Sequence, residues 1–394
     1  MKVLMLSQGR SISDQPDYDL AFRRAKSGGQ GIELINIPFV GYVETHGTTA
    51  LYSEIVRVNN EFRPDLVFFQ FFHSHAMRNC IASPIDCVNS LRASTVNVPL
   101  VFGSWGDPFN VGLQAFVGTP APRHTYQLAS VADAFFPTSM GPTADSLVRH
   151  GARNVVFLPN AFCSQHFKLA DACGCTDKKH DVVMLGSCCK YLHPRIYWSF
   201  VRAYSRNKTV RILSRRFGGR FAVFGAGWDG CPSWRGTVPF KDQMSVFESA
   251  RVAVDAPAQI DYDYYTSDRA FFIAGSGTPL VMKYIYGLEK MLADRHHAYY
   301  ARTIADFPKV CDEILALPDD LLRQRKKDTI NVIKQHHLVD HRVDTIISVA
   351  EALRNAREGR YSVRDACAHL RLHHFLQNVD VRAEFDHCIR NWEG

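Results

Sequence analysis

Short apolar runs of β type recur along the first part of the chain. They fall at Lys2–Ser7, Ile32–Phe39, Asp65–Phe72, Val98–Gly103, Ala134–Thr138 and Val155–Pro159, with stretches of helical period between them. Strands separated by helix-length segments predict a parallel sheet joined by crossover helices. The run from Asp65 to Phe72 is apolar almost throughout, the pattern of a strand covered on both faces, so it is expected at the centre of the sheet. Gly28-Gly29-Gln30-Gly31 reads as a helix C-cap and turn in preference to a phosphate loop. From Cys163 to His180 the periodicity gives way to Asp, Lys, Gly and Cys, which predicts a linker.

The rhythm restarts at Asp181–Ser187 and continues through Phe221–Gly225, Val252–Val254 and Thr278–Met282. Beyond Val343 the apolar residues Ile346, Ile347, Ala350 and Leu353 fall at helical spacing, and an Arg- and His-rich tail runs to Gly394. The expected fold is α/β, with one Rossmann-like domain over residues 1–162 and a second over 181–343. A linker at 163–180 joins them, and a helical segment covers 344–394. Open α/β sheets bind ligands at the carboxyl ends of their strands, so the active site is expected in a cleft between the two domains.

Composition narrows the class. A length of 394 residues suits two cores better than one, and 46% apolar with 22% charged residues is globular. No apolar run approaches the ~18 residues of a membrane helix, and Met1–Ser7 turns polar too soon for a signal peptide, so a cytoplasmic protein without a membrane span is expected. The eleven cysteines are odd in number and scattered, which argues for free thiols. Neither Cys173/Cys175 nor Cys188/Cys189 has a second pair at zinc-site spacing, and no obligatory metal is predicted, Mg2+ remaining an option for product release. The net charge of +7 suits a polyanionic partner, either nucleic acid or the phosphates of a small ligand.

Three segments carry a family resemblance. They are Phe224-Gly225-Ala226-Gly227-Trp228 with Trp234-Arg235-Gly236-Thr237-Val238-Pro239-Phe240; Arg269-Ala270-Phe271-Phe272 running on to Leu280; and His337-Leu338-Val339-Asp340-His341-Arg342. Over roughly residues 181–345 the chain resembles the glycosyltransferases related to spore-maturation proteins (glycosyl transferases group 1). The order of features is also similar to that of phage DNA β-glucosyltransferases. The resemblance implies the GT-B architecture, two Rossmann-like domains facing each other across a cleft, and transfer of a sugar from a nucleotide donor, with UDP expected, to an acceptor hydroxyl. One departure matters: where the family has a Glu for the ribose hydroxyls this chain has Phe272, and Tyr264 stands eight residues earlier, so a retaining carboxylate pair is not supported.

A nucleotide diphosphate leaving group needs arginines and backbone N–H groups at turns before helices. The candidates for donor binding are Gly9, Gly186, Ser187, Arg195, Gly225, Val238, Pro239, Phe240, Thr266, Ser267 and Arg269. For Arg195 and Arg269 the competing reading is a solvated helix residue. For Val238-Pro239-Phe240, read as a wall for the nucleobase, it is a turn and core anchor, and for Gly225 a plain tight turn. An inverting enzyme needs a general base for the acceptor hydroxyl. Asp107, after a strand in Trp105-Gly106-Asp107-Pro108, resembles the placement of the base in the phage enzymes, with an Asp-Pro turn as the alternative. Arg10, His73, His75 and Trp105 are the candidates for the acceptor side.

Among acceptors, the hydroxymethyl group of a modified pyrimidine in double-stranded DNA is favoured by motif order and positive charge; such a base must be flipped out of the duplex. A polysaccharide, a protein or a small metabolite is the alternative, as is a relative that binds nucleotide sugars without turnover. The loop Ser7-Gln8-Gly9-Arg10-Ser11-Ile12 after the first strand lacks Gly-x-Gly-x-x-Gly, which argues against a dinucleotide oxidoreductase or epimerase.

Overall fold

The computed structural model describes residues 1–14, 16–71, 84–94, 98–106, 120–170, 178–188, 197–256 and 262–358. The chain divides into two compact units, Met1–Pro159 together with the chain from Val339, and Asn160–Leu338.

In the first unit the chain runs β1 (Lys2–Ser7), α1 (Pro16–Arg24), β2 (Lys26–Ser27), β3 (Gln30–Gly31), β4 (Glu33–Pro38), α2 (Phe39–His46) and α3 (Thr48–Phe62). It continues through β5 (Leu66–Phe69), α4 (Pro84–Arg92), β6 (Leu100–Trp105), α5 (Pro120–Val131), β7 (Ala134–Pro137) and α6 (Pro142–Arg149). Five strands form a sheet in the order β4-β1-β5-β6-β7, every pair parallel. The central position of β5 agrees with its unbroken apolar sequence: Leu66, Val67, Phe68 and Phe69 are all 0% exposed. That strand ends earlier than its pattern suggests, because Phe71 takes a left-handed φ of 49° that extended pairing does not tolerate. Val155 adds a further parallel bridge beside Phe135, with Val156 N–H donating to Phe135 O at 2.9 Å.

Gly28 and Gly29 do not cap a helix. With φ of 57° and 82° they form the two-residue turn of the antiparallel hairpin β2–β3, where both central residues need positive φ.

The second unit holds β8 (His180–Leu185), α7 (Tyr197–Phe217), β9 (Phe221–Phe224), α8 (Gln243–Glu248), β10 (Ala250–Asp255), α9 (Asp268–Gly275) and β11 (Leu280–Lys283). Then follow α10 (Leu288–Met291), β12 (Tyr299–Ala301), α11 (Phe307–Leu315) and α12 (Asp319–His336). Its sheet has the order β12-β11-β10-β8-β9, again parallel throughout. Counted within each unit, both sheets therefore run 2-1-3-4-5. That is the flavodoxin-like variant of the doubly wound fold, in which connections leave in opposite directions from between strands one and three, opening a crevice at their carboxyl ends. The core packs α7 and α11 against one sheet face through Val210, Leu213, Phe217, Phe307, Val310, Cys311 and Ile314. Phe307, Val310, Cys311 and Ile314 sit at i, i+3, i+4 and i+7, one apolar stripe of α11.

The described part of residues 163–180 packs on the second unit. Phe167 is 4% exposed, and the Ala170 N–H donates to Gly275 O at 3.0 Å. At the point where the chain leaves this unit, Phe162 N–H donates to His337 O at 2.7 Å and Phe162 bridges Leu338 in parallel. The last described helix, α13 (Val339–Arg357), starts before the expected helical run at 344 and belongs to the first unit, where it packs on α1. It buries Val339, Val343, Ile346, Ile347, Val349, Ala350 and Leu353, while Asp340 pairs with Arg24 at 2.5 Å and Glu351 accepts from Ser27 Oγ at 2.7 Å. Arg342 on this helix is 0% exposed and donates from Nε to Pro159 O at 2.8 Å. Burial pushes its guanidinium down to about 9. No helix among the described residues is long and apolar enough to cross a membrane.

Candidate active site

In the second unit the crevice lies at the carboxyl ends of β8 and β10. Asp255 closes β10 with 0% exposure, and two groups at the start of α9 converge on it. Arg269 Nη1 meets Asp255 Oδ1 at 3.3 Å, and Ser267 Oγ donates to Asp255 Oδ2 at 2.9 Å. Ser267 occupies the N-cap position but spends its hydroxyl on Asp255, so it makes no side-chain cap bond to α9. Arg269 Nε, buried, has no hydrogen-bond partner among the described residues. A buried carboxylate thus fixes an arginine head at a helix N-terminus and leaves its Nε–H unspent, an arrangement suited to an anionic group. Thr266 is 2% exposed, and its carbonyl accepts from Asn160 Nδ2 at 2.9 Å, which anchors the turn before the helix.

Across the same crevice, Gly186 follows β8 and Gly225 follows β9. A Cβ on Gly225 would stand 2.5 Å from Gly186 O, and its φ of 136° also disfavours a side chain. The two backbones are held together: Gly186 N–H donates to Phe224 O at 2.8 Å, and the Trp228 indole N–H donates to Gly186 O at 2.7 Å. The glycine at 225 therefore answers to Gly186. Ser187 is exposed at the rim.

Arg206 on α7 ties these loops together and was not foreseen. It is 8% exposed, donating from Nε to Ala256 O at 2.8 Å and from Nη1 to Ser187 O at 3.0 Å. One guanidinium so joins the segments after β8 and after β10 at the topological switch point. The only sequence signal would have been an arginine inside an otherwise mixed helix, which is uninformative. Asp255 was legible by the rule that singled out Asp107, an acid ending a buried strand.

Phe272, at the family's Glu position, is 3% exposed and sits in an aromatic cluster. Its ring lies 4.8 Å from Phe167, 6.2 Å from Phe162 and 6.0 Å from Phe240. Phe240 in turn meets His166 edge-on at 5.1 Å and remains 44% exposed. Its packed face fills the cluster and its open face is free for a flat partner. Val238 and Pro239 precede it on the same loop, half-buried and exposed respectively. Tyr264 is fully buried at a positive φ of 63° and packs against Tyr286, a packing role.

At the corresponding edge of the first unit, Arg10 binds Glu44 through Nε at 2.8 Å and Nη2 at 3.1 Å, which raises the arginine and lowers the carboxylate from their ordinary ranges. Gly9 O accepts from Gly41 N–H at 3.1 Å, closing the loop onto α2. Trp105 is 1% exposed, edge-on to Tyr126 at 6.1 Å. Its ring is packed into the wall of this edge. Ser7 Oγ, Gln70 Oε1 and Trp105 Nε1, at or beside the ends of β1, β5 and β6, are buried without a hydrogen-bond partner among the described residues. Asp107, Arg195, His73 and His75 lie outside the described residues.

A family model described as glycosyl transferase-like matches residues 202–348. No curated protein matches the chain by sequence. Solved structures are similar along nearly the whole length. The UDP-forming α,α-trehalose-phosphate synthase of Burkholderia vietnamiensis is 12% identical with a TM-score of 0.55, covering 91% of this chain and 99% of its own. HepE of Anabaena, solved with UDP and glucose, is 12% identical at a TM-score of 0.54, covering 90% and 100%. Sucrose-phosphate synthase of Thermosynechococcus elongatus is 10% identical at 0.56, covering 90% and 100%. The chain has the fold of the GT-B glycosyltransferases, and its stretch similar to the glycosyl transferase-like family lies mostly in the second unit.

Proposed function

We propose that the chain transfers a sugar from a nucleoside diphosphate donor, a UDP-sugar, to an acceptor hydroxyl. The observation that carries this is Arg269, set at the N-terminus of α9 by the buried Asp255 with its Nε unspent. A diphosphate leaving group gathers negative charge as the glycosidic bond breaks, and a positioned guanidinium with helix N–H groups stabilises it. Gly186 and Ser187 border the same crevice, and the open face of Phe240 offers a surface for the base. Solved complexes of HepE with UDP and glucose and with UDP-glucose support the donor class.

Titration calorimetry with UDP and UDP-glucose tests the reading. Micromolar binding is expected for the full chain, and Arg269→Ala should weaken it by about tenfold to a hundredfold, the usual worth of a charge-assisted contact. An absence of binding by any nucleoside diphosphate or its sugars would sink the proposal.

On the acceptor side, Asp107 is proposed as general base in an inverting transfer, since no carboxylate stands at the position of Phe272. Proton NMR of the product anomer decides it: a product that retains the donor's anomeric configuration refutes this assignment. The hydroxymethyl group of a modified pyrimidine in DNA is the acceptor that the charge of +7 favours. Salt-sensitive binding to a duplex carrying 5-hydroxymethylcytosine is its signature, against a carbohydrate hydroxyl as the other arm. A second reading, donor binding without transfer, rests on the aromatic filling around Phe272 and predicts UDP-sugar affinity with no turnover on any acceptor.

A further inference from the structure

A cavity of about 720 Å3 opens beside the edge strand β9 of the second unit, a size typical of small-molecule sites. One wall is α7, which contributes Asn207, Arg211 and Arg215; the other is the loop Gly227–Ser233. That loop is pinned back along β9, with Val223 N–H donating to Ser233 O at 2.9 Å and Arg235 N–H to Val223 O at 3.0 Å. The indole N–H of Trp228, bonded to Gly186 O at 2.7 Å, fixes its other end, so the cavity is preformed. Apolar lining comes from Val210 and Trp228, which are 2% and 6% exposed.

The charge pattern along α7 and the turn after it is selective. Arg216 pairs with Asp312 at 2.9 Å and Arg220 with Asp181 at 2.7 Å, both away from the cavity. Arg211 and Arg215 line the cavity one turn apart, exposed, and form no ion pair among the described residues. Among the described residues of the lining Asp229 is the only acid, against these two cations. None of Asp255, Ser267 and Arg269 lines it; it adjoins the proposed donor crevice only through Cys188 and Trp228, on the far side of the Gly186–Ser187 turn.

We propose that this cavity binds a small organic anion with an apolar ring system, its phosphate or carboxylate held by Arg211 and Arg215 and its ring by Val210 and Trp228. Two arginines one helical turn apart match the oxygens of such a head group, and the apolar lining adds what inorganic phosphate lacks.

The test uses the full chain and 8-anilinonaphthalene-1-sulfonate, an anion on an aromatic body. Fluorescence titration should saturate at one probe per chain. Arg211→Gln with Arg215→Gln should weaken binding tenfold or more with an unchanged melting temperature, while Arg216→Gln stays within twofold. Bound probe should also slow alkylation of the half-buried Cys231, a lining residue, at least fivefold in the native chain and not in the double variant. AMP should displace the probe, whereas glucose 6-phosphate, an anion without an apolar ring, should not. Unchanged affinity in the double variant, Cys231 labelling indifferent to the probe, or displacement by glucose 6-phosphate would each overturn the assignment. So would competitive displacement by UDP lost in Arg269→Ala, which would make the cavity part of the donor crevice.

Discussion

Gly225 has no space for even one methyl group, since the carbonyl of Gly186 occupies it at 2.5 Å. Gly225→Ala is expected to cost about 3 kcal/mol through the clash and the positive φ together, read as a lower urea midpoint at unchanged slope. The role of Gly225 was invisible in the sequence, because a Gly-x-Gly pair reads equally as a turn, a ligand approach or a backbone crossing, and only the partner strand decides. Arg269 stands out by its position before an apolar helix and Asp255 as an acid ending a buried strand, but their pairing is not legible, since a loop of unpredictable path separates them. His297 gives a second prediction at this scale. Burial lowers it to about 4, the neighbouring His296 adds to this, and its Nδ1 already accepts from Ala293 N–H at 3.2 Å. The unfolded chain protonates this imidazole near pH 6.5 and the folded one only near 4, so stability falls as pH drops through that window. Allowing for partial solvation, about 2 kcal/mol should be lost between pH 7 and pH 4. His297→Asn, which keeps an acceptor for the Ala293 amide, should flatten that part of a urea-midpoint profile.

Among the elements, strands covered on both faces were the easiest to read. β5 and β8 are apolar because parallel strands in the middle of a sheet bury both faces. β12 was missed for the opposite reason: Tyr299–Ala301 is three residues long at an edge, too short to show a period. The hairpin of Gly28 and Gly29 is not legible in the sequence, because a glycine pair after a helix satisfies both a cap and a type I′ turn. The start of α13 was placed late because His341 and Arg342 look polar, whereas Arg342 is wholly buried against Pro159 O. Replacing it with Ala should cost about 3 kcal/mol or more, by opening a cavity and leaving that carbonyl unpaired. Arg342→Lys should recover little, since a point charge on a flexible stem does not reproduce the directed Nε donor. Thermal unfolding of both variants checks the order.

At the scale of the molecule, the repeated β/α rhythm predicts two parallel sheets, but neither their common strand order nor the return of the chain to its first unit is written in it. Nothing in residues 339–357 records which sheet their apolar stripe will cover, because any exposed α/β face accepts an amphipathic helix. Removing α13 by a stop after Leu338 strips seven buried apolar side chains from the first unit. At about 1.5 kcal/mol each that is on the order of 10 kcal/mol, as large as the whole stability of an ordinary domain. Limited proteolysis of the truncated chain should therefore digest residues 1–159 and spare 160–338; equal resistance of both would refute the estimate. The same connectivity bears on biosynthesis. A nascent chain presents the first sheet early, yet the helix that covers α1 is translated only after all of residues 160–338. At 5–20 residues per second the ribosome needs on the order of tens of seconds for that stretch, during which α1 lacks this cover. The first-made half of this protein is thus the last to be finished, and it is the half most in need of a chaperone.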